Sequence, residues 1–150
     1  MLTINKNKGF TLFIAIVVMG TLFLVTAGIT NLAVKQSLIS SIGRESQYAF
    51  YAADTGMECA LYWDVQNSSG YSAFSTSTGS QIPNACNGET INVGGSYVST
   101  FTLNLAPDPF CTTVTVTKND NGSTRIESKG YNTCDLSNPR RVERAVRASY

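Results

Sequence analysis

The stretch Phe10–Val34, FTLFIAIVVMGTLFLVTAGITNLAV, contains no charged residue and decides the architecture of the chain. A helix needs about 20 consecutive apolar residues to cross a hydrocarbon core roughly 30 Å thick, and this stretch is long enough. Lys6 and Lys8 precede it. Basic residues beside a spanning helix favour the cytoplasm for that end. The sequence therefore predicts one membrane-spanning helix over 10–34, with its N-terminus in the cytoplasm.

The helical pattern continues beyond the uncharged stretch. No proline occurs before Pro83, and residues 35–64 keep a helical period typical of an amphipathic helix. Small residues let another backbone approach closely. We therefore expect this half to pack against its own sheet or against neighbouring helices, through a narrow arc of small residues: Ala49, Ala53, Gly56 and Ala60.

Residues 65–150 predict a loop followed by an antiparallel sheet. The loop, up to about residue 95, is rich in Ser, Thr, Asn and Gly and shows little periodicity. Asn121-Gly122 is a strong signal for a hairpin turn. The predicted fold class is α+β, with a long N-terminal helix on an antiparallel sheet of about four strands. Four segments alternate as half-buried strands do: 96–105, 111–118, 124–131 and 141–150.

Four cysteines follow the uncharged stretch, which in an exported chain predicts disulfides. They are Cys59, Cys86, Cys111 and Cys134, and no CxxC spacing indicates zinc. Three pairings are possible in principle, and free buried thiols are the alternative. The hairpin at Asn121-Gly122 would bring Cys111 and Cys134 within the roughly 4.4–6.8 Å between Cα atoms that a disulfide requires. That pairing leaves Cys59 to Cys86.

Nothing in the composition predicts an enzyme, a cofactor or a metal site. The chain has no histidine, the commonest general base and metal ligand. Asp54 and Glu58 lie one helical turn apart, as expected for a solvated face or a subunit contact. The turn 119–122 lacks the closing glutamate of a calcium loop. A net charge of +1 gives no argument for nucleic acid.

A cluster of arginines near the C-terminus has two interpretations. It could contact DNA or another anionic polymer. A solvated sheet face or a subunit contact is the preferred interpretation, because Glu143 and Asp135 lie nearby and the final strand places Arg141 and Arg147 on the face opposite its valines. The cluster comprises Arg140, Arg141, Arg144 and Arg147.

Two segments carry a resemblance to a known family. Lys8-Gly9-Phe10-Thr11-Leu12 is similar to the processing site of type IV prepilins and type II secretion pseudopilins. Ala49–Glu58, AFYAADTGME, resembles the helix of the minor pilins grouped as X-type and K-type. The resemblance covers about the first 64 residues. It implies that residues 1–9 are a leader, that a prepilin peptidase cuts after Gly9, and that the new N-terminal Phe10 is N-methylated.

The same resemblance implies a structural role. The chain would be stored as a single-pass protein of the cytoplasmic (inner) membrane, with its N-terminus in the cytoplasm, and would then enter an extracellular filament. Its expected partners are other pilin subunits through the N-terminal helix, an inner-membrane assembly platform, the peptidase and membrane lipid. No specific nucleic acid is indicated.

One position departs from the family pattern. The fifth mature residue is usually Glu, which is thought to pair with the N-terminal amine of a neighbouring subunit, and here it is Ile14. An uncharged residue enters lipid easily but offers no counter-charge. A subunit repeated through a filament would leave an unneutralised amine each time, so Ile14 favours a minor, low-copy or tip subunit.

Two alternatives remain open. The chain could be the major subunit of such a filament. It could instead be a small secreted or single-pass anchored β domain with an ordinary signal sequence, since Val25 and Ala27 are small residues that suit cleavage before Gly28. The uncharged run is longer than the usual signal core of about 7–15 residues, which favours the pilin interpretation.

Overall fold

One helix dominates the computed structural model, which describes residues 8–66, 70–77 and 84–150. The helix, α1, runs from Lys8 to Leu61 and continues into a π-helical turn over Tyr62–Gln66. Its continuity confirms the predicted long N-terminal helix. Residues 1–7 of the predicted leader lie outside the described part of the chain.

Contacts divide the chain into two units, the first ending at Ile42 and the second beginning at Gly43. In its described residues the first unit is helix with exposed apolar side chains. Among the residues described, α1 is the helix long and apolar enough to cross a membrane. Three of its threonine hydroxyls donate to carbonyl groups of the same helix, as polar groups in hydrocarbon must find internal partners. For example, Thr21 Oγ1 donates to Val18 O at 2.9 Å and Thr30 Oγ1 to Thr26 O at 2.9 Å.

The second unit places a four-stranded antiparallel sheet against the C-terminal part of α1. A separate hairpin comes first, formed by β1 (Asn84–Cys86) and β2 (Glu89–Ile91). The sheet strands then pair in chain order as a meander, which confirms the predicted α+β class. They are β3 (Val98–Asn104), β4 (Cys111–Lys118), β5 (Thr124–Tyr131) and β6 (Glu143–Ser149).

Strands β4 and β5 have the predicted bounds, and the predicted turn joins them. Gly122 N donates to Asn119 O at 3.0 Å, and Gly122 has a φ of 85°, which glycine adopts without strain. The register places Val116 opposite Ile126. Strands β3 and β6 are shorter than the predicted segments 96–105 and 141–150.

The core lies between the inner sheet face and one side of α1. Alternate strand residues point inward, and the hairpin and the following loop close one end of the core. Fully burying a Val, Leu, Ile or Phe side chain contributes roughly 1.5–3 kcal/mol to the free energy of unfolding. The largest fully buried apolar side chains are Phe74, Leu103, Ile126, Val114 and Val116.

Candidate functional site

The predicted processing site lies in the first turn of α1. A Cβ added at Gly9 would have no neighbour within 4 Å, and Phe10 is 71% exposed. Ile14, at the position where the family has a carboxylate, is 45% exposed and carries no polar atom on its side chain. The Gly9–Phe10 peptide bond is therefore free of tertiary contacts among the residues described.

The small residues predicted for helix packing lie against the sheet of their own domain. Ala49, Ala53 and Ala60 are fully buried, and Gly56 is buried with them. A Cβ on Gly56 would lie 2.6 Å from Ser128 Oγ. The sequence left two packing partners open, the domain's own sheet and neighbouring helices. In the structure these residues pack against the domain's own sheet. This arc is therefore not available to a neighbouring helix.

Gly130 allows the closest approach of the two layers. A Cβ there would collide with backbone atoms of Ala49 and Ala53 in α1. Gly130 was not among the residues predicted from the sequence to pack against the helix, although a glycine inside a strand often marks a close backbone approach. Strand β5 therefore touches the helix backbone directly.

A buried charged cluster, which we call the Asp64 cluster, fixes the end of the helix. It comprises Asp64, Lys118, Ser72, Tyr150 and Thr124. Lys118 Nζ lies 2.7 Å from both carboxylate oxygens of Asp64, whose side chain is 2% exposed. The hydroxyls of Ser72 and Tyr150 donate to the same carboxylate. Lys118 Nζ also donates to Thr124 Oγ1 at 2.8 Å.

The electrostatics of the cluster keep Asp64 ionised. Burial raises the pKa of Asp64, but hydrogen bonds from Lys118, Ser72 and Tyr150 outweigh it and leave that pKa below its ordinary value of 3.8. Burial and the neighbouring Asp64 carboxylate both raise the pKa of Tyr150. The phenol therefore stays protonated and donates its hydrogen bond. No sequence pattern predicted this cluster, because its members lie far apart in the chain.

A second polar contact ties the helix to the sheet near residue 45. The buried amide of Asn132 donates to Glu45 Oε2 at 2.9 Å and to Arg140 O at 3.1 Å, and it accepts from Val142 N at 2.7 Å. Tyr48 also stacks on Phe110, with ring centroids 4.7 Å apart. Residues 45–64 of α1 are thus fixed to the sheet at both ends.

The cysteines only partly match the prediction. Cys59 and Cys86 form a disulfide with a Cα–Cα distance of 6.1 Å, which joins the last turns of α1 to β1. The predicted bond between Cys111 and Cys134 is not formed, since both are free thiols. The two thiols are close enough for Cys134 to raise the pKa of Cys111, and Cys134 Sγ donates to Asn104 Oδ1 at 3.6 Å.

The two thiols of the second pair differ in exposure, since Cys111 is buried and Cys134 is exposed. Burial, reinforced by Cys134, raises the pKa of Cys111 to about 12. Disulfide chemistry requires a thiolate. Cys111 therefore stays protonated near neutral pH, and any reaction must begin at the exposed Cys134.

We expect oxidation to add the second bond without changing the first. Non-reducing peptide mapping of the oxidised full chain should give Cys59–Cys86 and Cys111–Cys134. Before oxidation, a thiol reagent should label Cys134 much faster than Cys111. A peptide that joins Cys59 to either Cys111 or Cys134 would contradict the register, and faster labelling of Cys111 would contradict the stated burial.

The remaining polar candidates do not converge on one site. Asp54 is half-buried and Glu58 is exposed, and no cation among the described residues lies within ion-pair distance of either. No group of three potential metal-ligating side chains occurs in the described ranges. The arginine cluster is divided among separate partners. Arg144 Nε donates to Ser46 Oγ at 2.7 Å, whereas Arg147 pairs with Glu127 on the opposite sheet face.

Comparison of the chain with protein-family models, curated proteins and solved structures gave no match. The candidate functional surface is consequently defined by the chain's own geometry. It consists of the exposed apolar part of α1, which begins at an accessible Gly9–Phe10 bond. The C-terminal part of the same helix is fixed to a disulfide-linked β domain.

Proposed function

We propose that the chain is a minor pilin or pseudopilin, a structural subunit of a type IV pilus-like filament that is processed after Gly9. The observation that carries this proposal is the continuity of α1 from Lys8 to Leu61. One helix thus joins an exposed apolar segment to a folded β domain. A subunit that is stored in lipid and later packs by that segment against other subunits needs this construction.

The exposed part of α1 suits both environments. Its side chains from Phe10 to Val34 are uncharged, so lipid accepts them. Neighbouring helices bury such side chains equally well once the subunit leaves the membrane. The small-residue arc is already covered by the sheet, so the apolar part must supply the contacts between subunits.

Ile14 supports a low-copy place in the filament. An ionised group within the membrane is costly unless it is paired, by about 2.5–3.5 kcal/mol on insertion scales. Ile14 avoids that cost but cannot neutralise the amine of an adjacent subunit. A tip position needs no repeated neutralisation, which favours a tip or initiator subunit over the bulk subunit.

The mature N-terminus and the copy number test the proposal together. Filaments sheared from cells would be analysed by mass spectrometry. We expect a chain that begins at N-methylated Phe10 and is present at a small fraction of the main subunit. A chain that begins at Gly28 would identify an ordinary signal sequence and overturn the filament proposal. An abundance equal to that of the bulk subunit would overturn only the minor role.

A matched pair of glycine variants sharpens the processing step. Gly9→Val should leave the precursor uncut and trapped in the membrane, because the peptidase would meet a branched side chain at the scissile bond. Gly20→Val places the same side chain elsewhere on the exposed helix, where an added Cβ also has no neighbour within 4 Å. That variant should mature normally. Normal maturation of Gly9→Val would refute cleavage at this bond.

A further inference from the structure

The sheet face turned away from α1 carries a polar groove with a volume of about 540 Å³. Its floor is lined by Thr113, Thr115 and Thr117 of β4, and its wall by Arg125, Glu127 and Lys129 of β5. These residues alternate with the buried ones along each strand, which places them on one face.

The groove floor presents rows of hydroxyl groups. Thr100 Oγ1 lies 3.4 Å from Thr115 Oγ1, and Thr102 Oγ1 lies 3.5 Å from Thr113 Oγ1 across the β3–β4 pair. Each hydroxyl has one hydrogen to donate and two lone pairs. Even within these pairs, the hydroxyls keep free capacity toward a ligand that both donates and accepts hydrogen bonds.

The groove wall carries more positive than negative charge. Glu127 is shared by three cations: Arg147 at 2.8 Å, Lys129 at 3.7 Å and Arg125 at 3.8 Å. The hydrogen bond from Arg147 lowers the pKa of Glu127, so this carboxylate is ionised and offsets one of the three cations. Lys129 Nζ also lies 3.9 Å from Glu143 Oε1, so three cations face two carboxylates. The side chains of Arg125 and Lys129 are 52% and 43% exposed, respectively. They are therefore able to bind an anion.

The groove lacks a platform for nucleotide bases. Among the described residues that line it, the one aromatic side chain is Tyr131, which is 9% exposed and whose ring is covered by the guanidinium of Arg141 at 3.6 Å. Binding of single-stranded nucleic acid relies on bases stacked on exposed aromatic rings. Duplex DNA carries one charge per about 1.7 Å of axis, a density that two or three spaced cations do not match.

We propose that this groove binds an acidic polysaccharide, a chain of sugars in which carboxylate or sulfate groups alternate with neutral, hydroxyl-rich units. Arg125 and Lys129 would pair with successive anionic groups. The threonine rows would exchange hydrogen bonds with the sugar hydroxyls between them. The inference does not depend on filament assembly, because the groove belongs to the β domain alone.

Binding to the full chain in neutral detergent tests the proposal, with hyaluronan oligosaccharides as the acidic probe and dextran as the neutral one. We expect hyaluronan to bind at low salt and to weaken as salt screens the charges, whereas dextran should not bind detectably. The double variant Arg125→Gln/Lys129→Gln should weaken hyaluronan binding by about tenfold or more, since charge-assisted contacts are the strong ones.

Two further variants separate the groove from bulk charge. Arg44→Gln removes an exposed cation on α1, away from the groove, and should leave binding unchanged. Thr113→Val/Thr115→Val keeps shape but removes hydroxyls, and should weaken binding about threefold. Emission from Trp63, the one tryptophan, checks that each variant folds. Absent hyaluronan binding, equal loss in Arg44→Gln, or tighter binding of single-stranded DNA would each overturn the proposal.

Discussion

Replacing Lys118 with methionine is expected to lower the free energy of unfolding by about 3 kcal/mol. The substitution removes the cation that lies 2.7 Å from both oxygens of a carboxylate that is 2% exposed. Breaking a buried ion pair from one side costs about 3–5 kcal/mol, because the remaining charge stays buried. The Lys118 side chain is itself 21% exposed, so we expect a loss at the lower end of this range. Urea unfolding of the full chain, followed by Trp63 emission, measures it.

A double variant distinguishes a lost pair from a lost charge. Lys118→Met combined with Asp64→Leu removes both charges and should be more stable than Lys118→Met alone, because no unpaired carboxylate is left behind. If Lys118→Met unfolds at the wild-type urea concentration, the Asp64 cluster contributes nothing to stability. If the double variant is the less stable of the two, the cost comes from lost packing instead.

The same cluster predicts the acid limit of stability. The folded-state pKa of Asp64 lies below the ordinary value. Its stabilisation is therefore complete above the unfolded pKa of about 3.9 and is lost as the pH falls through the lower folded value. In wild type, the urea midpoint should drop below about pH 4, and this drop should shrink in Lys118→Met.

Gly130→Ala is expected to destabilise the domain by more than about 3 kcal/mol, the upper end for ordinary overpacking. The added methyl group would collide with backbone atoms of Ala49 and Ala53, which cannot rotate away as a side chain could. The helix must therefore move off the sheet and expose part of the core. Urea unfolding and near-ultraviolet circular dichroism of the full chain would report both effects.

Gly43→Ala is the matched control for that experiment. Gly43 lies in α1, whereas Gly130 lies in β5, and an added Cβ at Gly43 would have no neighbour within 4 Å. Alanine is favoured over glycine inside a helix by about 1 kcal/mol. The same Gly→Ala change should therefore raise the free energy of unfolding at residue 43 and lower it at residue 130. Equal effects at the two positions would show that close approach to the helix backbone is not the cause.

Local signals explain why much of the fold could be predicted from sequence. Strands β4 and β5 have strict alternation, with Asn121-Gly122 between them, and both were predicted to the residue. The strands β3 and β6 start later than predicted because side chains compete for their first amides. Ser96 Oγ accepts from Val98 N, and Asn132 Oδ1 accepts from Val142 N.

Contacts between residues far apart in the chain could not be predicted in the same way. Asp64 and Lys118 each look like an ordinary charged residue at the end of a helix or strand. Only the docking of α1 on the sheet brings them together. Gly130 looked like a neutral strand position for the same reason. The cysteine pair near the β4–β5 hairpin was recognised because that contact follows from a local turn, but sequence gave no measure of Cys111 burial.

The Asp64 cluster also has a kinetic consequence. Asp64 is separated from Lys118 by 54 positions and from Tyr150 by 86 positions in the chain. The β4–β5 hairpin, in contrast, closes across a short turn. Closing a longer loop costs more entropy, so nearby contacts form earlier during folding. We therefore expect the cluster to form after the rate-limiting step, so that Lys118→Met unfolds faster while refolding at nearly the wild-type rate. Stopped-flow unfolding and refolding of the two proteins would measure both rates, and a refolding rate that falls as much as the unfolding rate rises would contradict this order.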